Sequence, residues 1–220
     1  MKKFEITNND CISLWVEDLY NRYLPSEGVL VEVGVGHTVD RHWTSDSTIK
    51  HIREGTVPKE RCGSNTLDLL DQGYTGIYID PVKEYCEELG LITKNKNITI
   101  LNQGASDKRE MQTMYGGETF IANGYTTWPG GVDYIGREVE CGPISDMLDK
   151  LSVTSVDLMS IDVEGWEVKA LAGIREEHLP KVMIIEINKT GGLHELLSSK
   201  GYTLLYRDDR DAGYVMEIKS

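Results

Sequence analysis

The chain has 220 residues, 40% of them hydrophobic and 27% charged, which suits a folded globular protein with one sizeable core and leaves little room for a second. The formal net charge of -13 disfavours nucleic acid as a partner, since the basic residues are scattered and form no patch. No apolar run approaches the ~20 residues of a membrane helix, and the start MKKFEITNND has no apolar stretch after its lysines, so neither a membrane span nor a secretory signal is expected. Four cysteines, Cys11, Cys62, Cys86 and Cys141, form no CxxC pair; reduced thiols in a cytoplasmic protein are the expectation.

In chain order, residues 11–24 place Ile12, Trp15, Val16, Leu19 and Tyr23 on one helical face, with Asn9 or Asp10 as the cap and Pro25, Ser26 and Gly28 as the stop. Val29 to Val33 reads as a buried strand entering Gly34-Val35-Gly36-His37. Residues 37–63 are polar and without period, as in an insertion or lid, with a short helix near 47–54. Ser64-Asn65-Thr66 caps a helix that stops at Gly73. A second strand runs from Gly76 to Asp80, Pro81 opens a helix over 82–89, and Asn97 to Leu101 is a third strand. Residues 108–143 are glycine-rich and irregular, with weak strand signals near 119–121 and 137–140. A helix at 144–151, a strand ending at Asp162, a short helix closed by Gly173, a strand over 182–187, a helix at 192–199 and two last strands complete the chain. Strands alternating with helices predict an α/β fold of Rossmann-like type, a mostly parallel sheet covered on both faces, with an antiparallel strand near one edge.

Three places carry chemistry. Glu32-Val33-Gly34-Val35-Gly36 is a glycine turn after a strand, where the backbone must approach a ligand closely. The dinucleotide fingerprint requires a third glycine, and Val39 stands there instead. An acid before the first glycine suits a ligand with an ammonium group, as S-adenosylmethionine has. The plain alternative is an ordinary strand-to-loop turn. Asp80 ends the second strand, where a carboxylate can accept both hydroxyls of a ribose; an Asp before Pro also simply starts turns.

The third place is VDLMSIDVEGWE over 156–167. Strand alternation puts Asp162 and Glu164 on one side, able to act as a base, hold a sulfonium electrostatically or bind a metal; alternatively Glu164 caps the next helix. Glu186 ends the neighbouring strand with Asn188 beside it, so Asp162, Glu164 and Glu186 form the candidate oxygen set for a divalent metal such as magnesium, which is not the favoured reading. His37 is a further candidate base. His42, with Asp40 and Trp43, lies in the insertion, where solvated histidines are commoner than ligands. Tyr125, Trp128 and Tyr134 either wall a substrate pocket or pack a loop.

Taken together, SNTLDLLDQGYTGIYIDPV at 64–82, GASDK at 104–108, the segment 144–174 with its IDVEG, and VMIIEIN at 182–188 are similar to the FkbM-like family of S-adenosylmethionine-dependent methyltransferases, over roughly residues 29–190. The resemblance implies a seven-stranded Rossmann-like sheet in a single methyltransferase domain over 1–220, with 1–28 as an N-terminal helical cap. It implies O-methylation of a sugar or another small hydroxylated acceptor. By position it implies that Glu32, Gly34 and Gly36 line the methionine part, Asp80 holds the ribose, Gly104-Ala105-Ser106 flanks the adenine, and Asp162 sits near the methyl group. The loop GHTVDRHW departs from the family's usual glycine-asparagine sequence, and inserted loops commonly set the acceptor pocket. The alternatives are a non-catalytic module that binds an adenosine ligand and, less favoured, a dinucleotide-dependent oxidoreductase. Nothing in the sequence fixes the oligomeric state.

Overall fold

The structure is a computed structural model and describes residues 4, 15–35, 64–115, 120–121, 137–187 and 189–216. Its centre is a seven-stranded sheet. In chain order its strands are β1 (Val29–Val33), β2 (Thr75–Ile79), β3 (Ile98–Leu101), β8 (Leu158–Ile161), β9 (Val182–Glu186), β10 (Tyr202–Arg207) and β11 (Asp211–Met216). Across the sheet the order is β10-β11-β9-β8-β1-β2-β3. All neighbours pair in parallel except β11, which runs antiparallel to both β9 and β10. This is a Rossmann-like arrangement, and the expected antiparallel strand is present one place in from the edge.

The strands alternate their side chains between two cores, as the period of 2 requires. Val31, Val33, Ile77, Ile79, Met159, Ile161, Met183 and Ile185 face one way, against Ile144, Met147 and Leu148 of α4 (Ile144–Lys150), Ala170 and Leu171 of α5 (Glu167–Ala172), and Leu193 and Leu197 of α6 (Leu193–Ser199). Leu30, Tyr78, Leu158 and Ile184 face the other way, against α1 (Val16–Tyr23), α2 (Leu67–Leu70) and Leu89 of α3 (Lys83–Ile92). Sheets covered on both faces need strands apolar on both sides, which is why β9 is apolar from Val182 to Ile185 and β8 is interrupted only by the small Ser160.

Three features differ from the sequence expectation. On α1 the buried face is Val16, Leu19 and Tyr20, while Tyr23 is exposed. Trp15 turns aside to stack on Tyr206, ring centroids 5.6 Å apart, and donates to Asp208 at 3.0 Å. The stretch expected to be irregular, with weak strand signals near 119–121 and 137–140, has strands at both of those places and at 110–115, and they join 104–105 in a second, four-stranded sheet. It is built from β4 (Gly104–Ala105), β5 (Glu110–Tyr115), β6 (Phe120–Ile121) and β7 (Arg137–Gly142), in the order β4-β7-β5-β6. Met114, Val139 and Cys141 form its small core. Finally, Glu164 is not in a strand: β8 ends at Ile161, and Glu164 lies in a turn at φ 56. Strand alternation therefore does not relate it to Asp162. Among the described residues, no helix is long and apolar enough to cross a membrane.

Candidate functional site

The sheet order reverses at β1. From it the chain winds outward through β2 and β3, then returns to its other side at β8 and continues to β9. At such a switch point the loops after the two strands diverge and leave a crevice at their carboxyl ends. Gly34 stands there. Its N–H donates to the Ile79 carbonyl of β2 at 2.9 Å, and the Asp162 N–H after β8 donates to the Val33 carbonyl at 2.9 Å. Gly34 has φ +79, and a Cβ on it would lie 1.7 Å from the Asp162 carbonyl oxygen. Only glycine fits this left-handed, crowded position. Asp80 and Asp162 thus flank one glycine, one on each side.

Asp80 is buried at the tip of β2. Its Oδ1 accepts the Val82 N–H at 2.8 Å, so it does start the turn into α3. Its own carbonyl accepts from Asn102 at 3.1 Å and from the Cys86 thiol at 3.3 Å. Both neighbours lock the strand tip in place.

Glu32 has the parity of Leu30 and so points into the α1/α2 core, where it is 2% exposed. Ser64 Oγ and Thr66 Oγ1 each donate to its Oε2 at 2.6 Å, and the Asn65 N–H donates to Oε1 at 3.0 Å. Tyr78 Oη lies 3.0 Å from Thr66 Oγ1, Tyr20 donates to the Asn65 carbonyl, and Asn65 Nδ2 donates to Ser160. Burial pushes the Glu32 carboxyl up to about 7 despite these donors. The expectation that Glu32 lines a ligand does not fit this geometry: its oxygens are taken by the start of α2. Its work is to bring Ser64–Thr66 back beneath the β1 tip after the excursion of the chain between them.

Asp162 and Glu186 differ. Oδ1 of Asp162 and Oε2 of Glu186 are buried and meet no N–H or O–H donor among the described residues. The two carboxyls are near neighbours, and each raises the cost of ionising the other. Burial raises Asp162 well above the usual carboxylate range, and the charges of Glu186 and Glu164 add to this. Burial likewise raises Glu186, against the pull of Lys189.

Lys189, which carries no signal of its own in the sequence motifs, sits among these acids. Its Nζ contacts Glu164 Oε2 and lies 3.1 Å from Glu186 Oε1. Next to it, Thr190 Oγ1 donates to Glu167 Oε2. Glu167 Oε1 in turn accepts the Gly165 N–H at 2.9 Å and the Val163 N–H at 3.3 Å. So Glu167, not Glu164, caps the turn before α5. Arg210 approaches from the β10–β11 turn, where the charge of Asp162 acts on it and Asp211 accepts from its Nε at 2.8 Å. Asp211 is the register partner of Glu186. Of the three acids considered as a possible metal set, Glu164 and Glu186 engage an ammonium of the chain itself, and among the described residues no group of three or more His, Cys, Asp or Glu is placed to hold a metal ion.

Ala105 lies in β4 within the main core, and Ser106 beyond it is fully buried. The Ser106 N–H donates to the Gly142 carbonyl, and its hydroxyl donates toward Glu110 at 2.9 Å and Asp107 at 3.2 Å. Both side chains are turned into protein, which leaves only backbone of this segment to flank a ligand. Gly36, His37, His42, Tyr125, Trp128, Tyr134 and Asn188 lie outside the described residues.

A doubly wound sheet with a glycine at its switch point and acids on both flanking strand tips places the chain in the Rossmann-like class of α/β folds. The model of the methyltransferase FkbM domain matches residues 14–214, and the chain belongs to that family of methyltransferases. No curated protein matches the chain.

Proposed function

We propose that the chain transfers a methyl group from S-adenosylmethionine to a hydroxyl oxygen of a small acceptor, a sugar or a similar hydroxylated metabolite. The observation that carries this reading is the pair of carboxyls, Asp80 and Asp162, on either side of the constrained Gly34 at the switch point, with Asp162 Oδ1 and Glu186 Oε2 buried and without an N–H or O–H donor among the described residues. A buried acid lacking a donor is costly unless a proton or a cation answers it. An adenosine ligand with a sulfonium suits both ends of this crevice: ribose hydroxyls for Asp80, positive charge for Asp162.

S-adenosylmethionine supplies a methyl group on a sulfonium, which needs no acid to leave. What falls to the chain is alignment and proton removal. Gly34 admits the ligand to the backbone, with Gly36 following it in the sequence. Asp80 fixes the ribose, and the backbone at Gly104–Ser106 borders the adenine. The Asp162–Glu186 pair, holding one proton, has room for the proton that the acceptor hydroxyl gives up. Its raised affinity for protons suits it to take a proton as a base. Glu164, engaged by Lys189, is less suited to that role; His37 is a second candidate base from the sequence.

Calorimetry with S-adenosylhomocysteine and NAD tests the reading. Binding of the former and not of NAD is expected; tighter binding of NAD would sink it.

A further inference from the structure

Two residues just after β9 grip the turn just after β8. Lys189 holds Glu164 and Glu186, and Thr190 holds Glu167, whose other oxygen collects the Val163 and Gly165 amides. The turn so gripped is unusual: Glu164 at φ 56 and Gly165 at φ 96 are consecutive left-handed residues. A non-glycine residue in that region persists where its surroundings over-determine it. Here they do, through an ion pair on Glu164 and a carboxylate cap on the next amide. The turn begins at Asp162, whose N–H is tied to the Val33 carbonyl of β1 at 2.9 Å and which runs directly into the gripped residues 163–167.

We propose that Lys189 and Thr190 are positioning residues that clasp the 162–167 turn, Thr190 fixing its shape and Lys189 fixing the charge that Asp162 presents to the methyl donor. The inference rests on the proposed function, in which Asp162 faces the sulfonium. The charged groups around Asp162 come from every neighbouring element. Glu186 lies on β9, Lys189 comes just after it, Glu164 is in the same turn, and Arg210 reaches in from the β10–β11 turn. Asp211 on β11 faces Glu186 and is engaged by Arg210, and Glu167 on α5 is turned to Thr190. Lys189 draws protons away from Asp162, and Glu164 draws them toward it. The clasp therefore contains two neighbours of opposite sign joined to each other, and removing one must move Asp162 in the opposite direction from removing the other.

The probes are S-adenosylmethionine and S-adenosylhomocysteine, which differ by the sulfonium charge. The ratio of their affinities, measured by calorimetry from about pH 5.5 to about 8.5 on the full chain, reads the charge at Asp162. In the wild type the preference for S-adenosylmethionine rises with pH as the Asp162–Glu186 pair loses its proton. Lys189→Met moves the midpoint of that rise up by about one pH unit or more, and Glu164→Gln moves it down. Lys189→Arg restores the wild-type midpoint. Thr190→Val weakens both ligands by the same factor and leaves the midpoint alone; Thr190→Ser restores affinity. Damage to folding cannot produce shifts of opposite sign, so the pair of variants keeps the test decisive. If Asp162→Asn flattens the profile but Lys189→Met and Glu164→Gln leave its midpoint unmoved, or move it the same way, the clasp is overturned and the proposed function stands. If the wild-type profile is already flat, or Asp162→Asn does not change it, Asp162 does not face the sulfonium and both fall.

Discussion

Two acids at the tips of adjacent strands, Glu32 on β1 and Asp162 after β8, are both buried and both hold their protons more tightly than usual, yet they are built for opposite ends. Glu32 is surrounded by donors: Ser64, Asn65 and Thr66 all reach it. Asp162 meets another acid, and its Oδ1 has no donor among the described residues. A buried carboxyl supplied with donors acts as a fastener, and removing it strands its partners. A buried carboxyl set against its own kind is held for something that arrives, and removing it relieves the protein. Burial alone does not separate the two; the donors do.

Gly34 joins these regions, and Gly34→Ala breaks both at once. A Cβ at φ +79, aimed at the Asp162 carbonyl, is expected to cost about 4 kcal/mol in urea unfolding and to abolish ligand binding. Glu32→Ala tests the fastener. With Ser64, Thr66 and the Asn65 amide left without their acceptor, the loss should be about 3 kcal/mol; a loss under about 1 kcal/mol would show that the donors find other acceptors. The same acid shapes the pH profile. Its proton affinity rises from 4.5 in the unfolded chain to about 7 in the fold, so between these values the folded state binds the extra proton. Stability is then greatest below 4.5 as far as this group is concerned, and falls as pH rises to about 7. Glu32→Gln should make that fall shallower, by at most about 1.4 kcal/mol per pH unit. Asp162→Asn should do the reverse of Glu32→Ala. It relieves the repulsion with Glu186 and Glu164 and is expected to raise stability by about 1 kcal/mol near neutral pH while impairing turnover. Were it destabilising instead, Asp162 would be a fastener too.

Much of this is legible in the chain. The strands β1, β2, β8 and β9 announce themselves as mostly apolar runs with Glu32 one residue from the end of β1 and Asp80, Asp162 and Glu186 at the ends of the others, and the acids' place near the strand tips comes directly from those runs. What the runs do not show is where each acid points. Glu32 shares the parity of Leu30, and that parity is a readable sign that it enters the core. Its donors, however, come from residues 64–66 across a polar excursion. Lys189, Thr190 and Arg210 escape a sequence reading because their positions depend on pairing between distant strands; Asp211 opposite Glu186 is not a local property. The one sequence signal is a lysine immediately after VMIIEIN, next to acids in need of a cation. The second sheet is hidden for a similar reason. EMQTMY of β5 has little apolar alternation, and its partner β7 lies beyond residue 136. Glu164 falls on the wrong side when strand alternation is extended past the residue where β8 stops, and the glycine after it is the local sign of a turn.

Whether a ligand with a ribose lies between Asp80 and Asp162 decides most of the above, and equilibrium binding of S-adenosylhomocysteine to the wild type and to Asp80→Ala tests it most directly. The wild type is expected to bind. Asp80→Ala, folded as before by circular dichroism, is expected to bind more weakly by about 1–3 kcal/mol, the scale of a lost charge-assisted hydrogen bond. A wild type that does not bind, or an Asp80→Ala variant with an unchanged Kd, would contradict the placement of the ligand at this crevice.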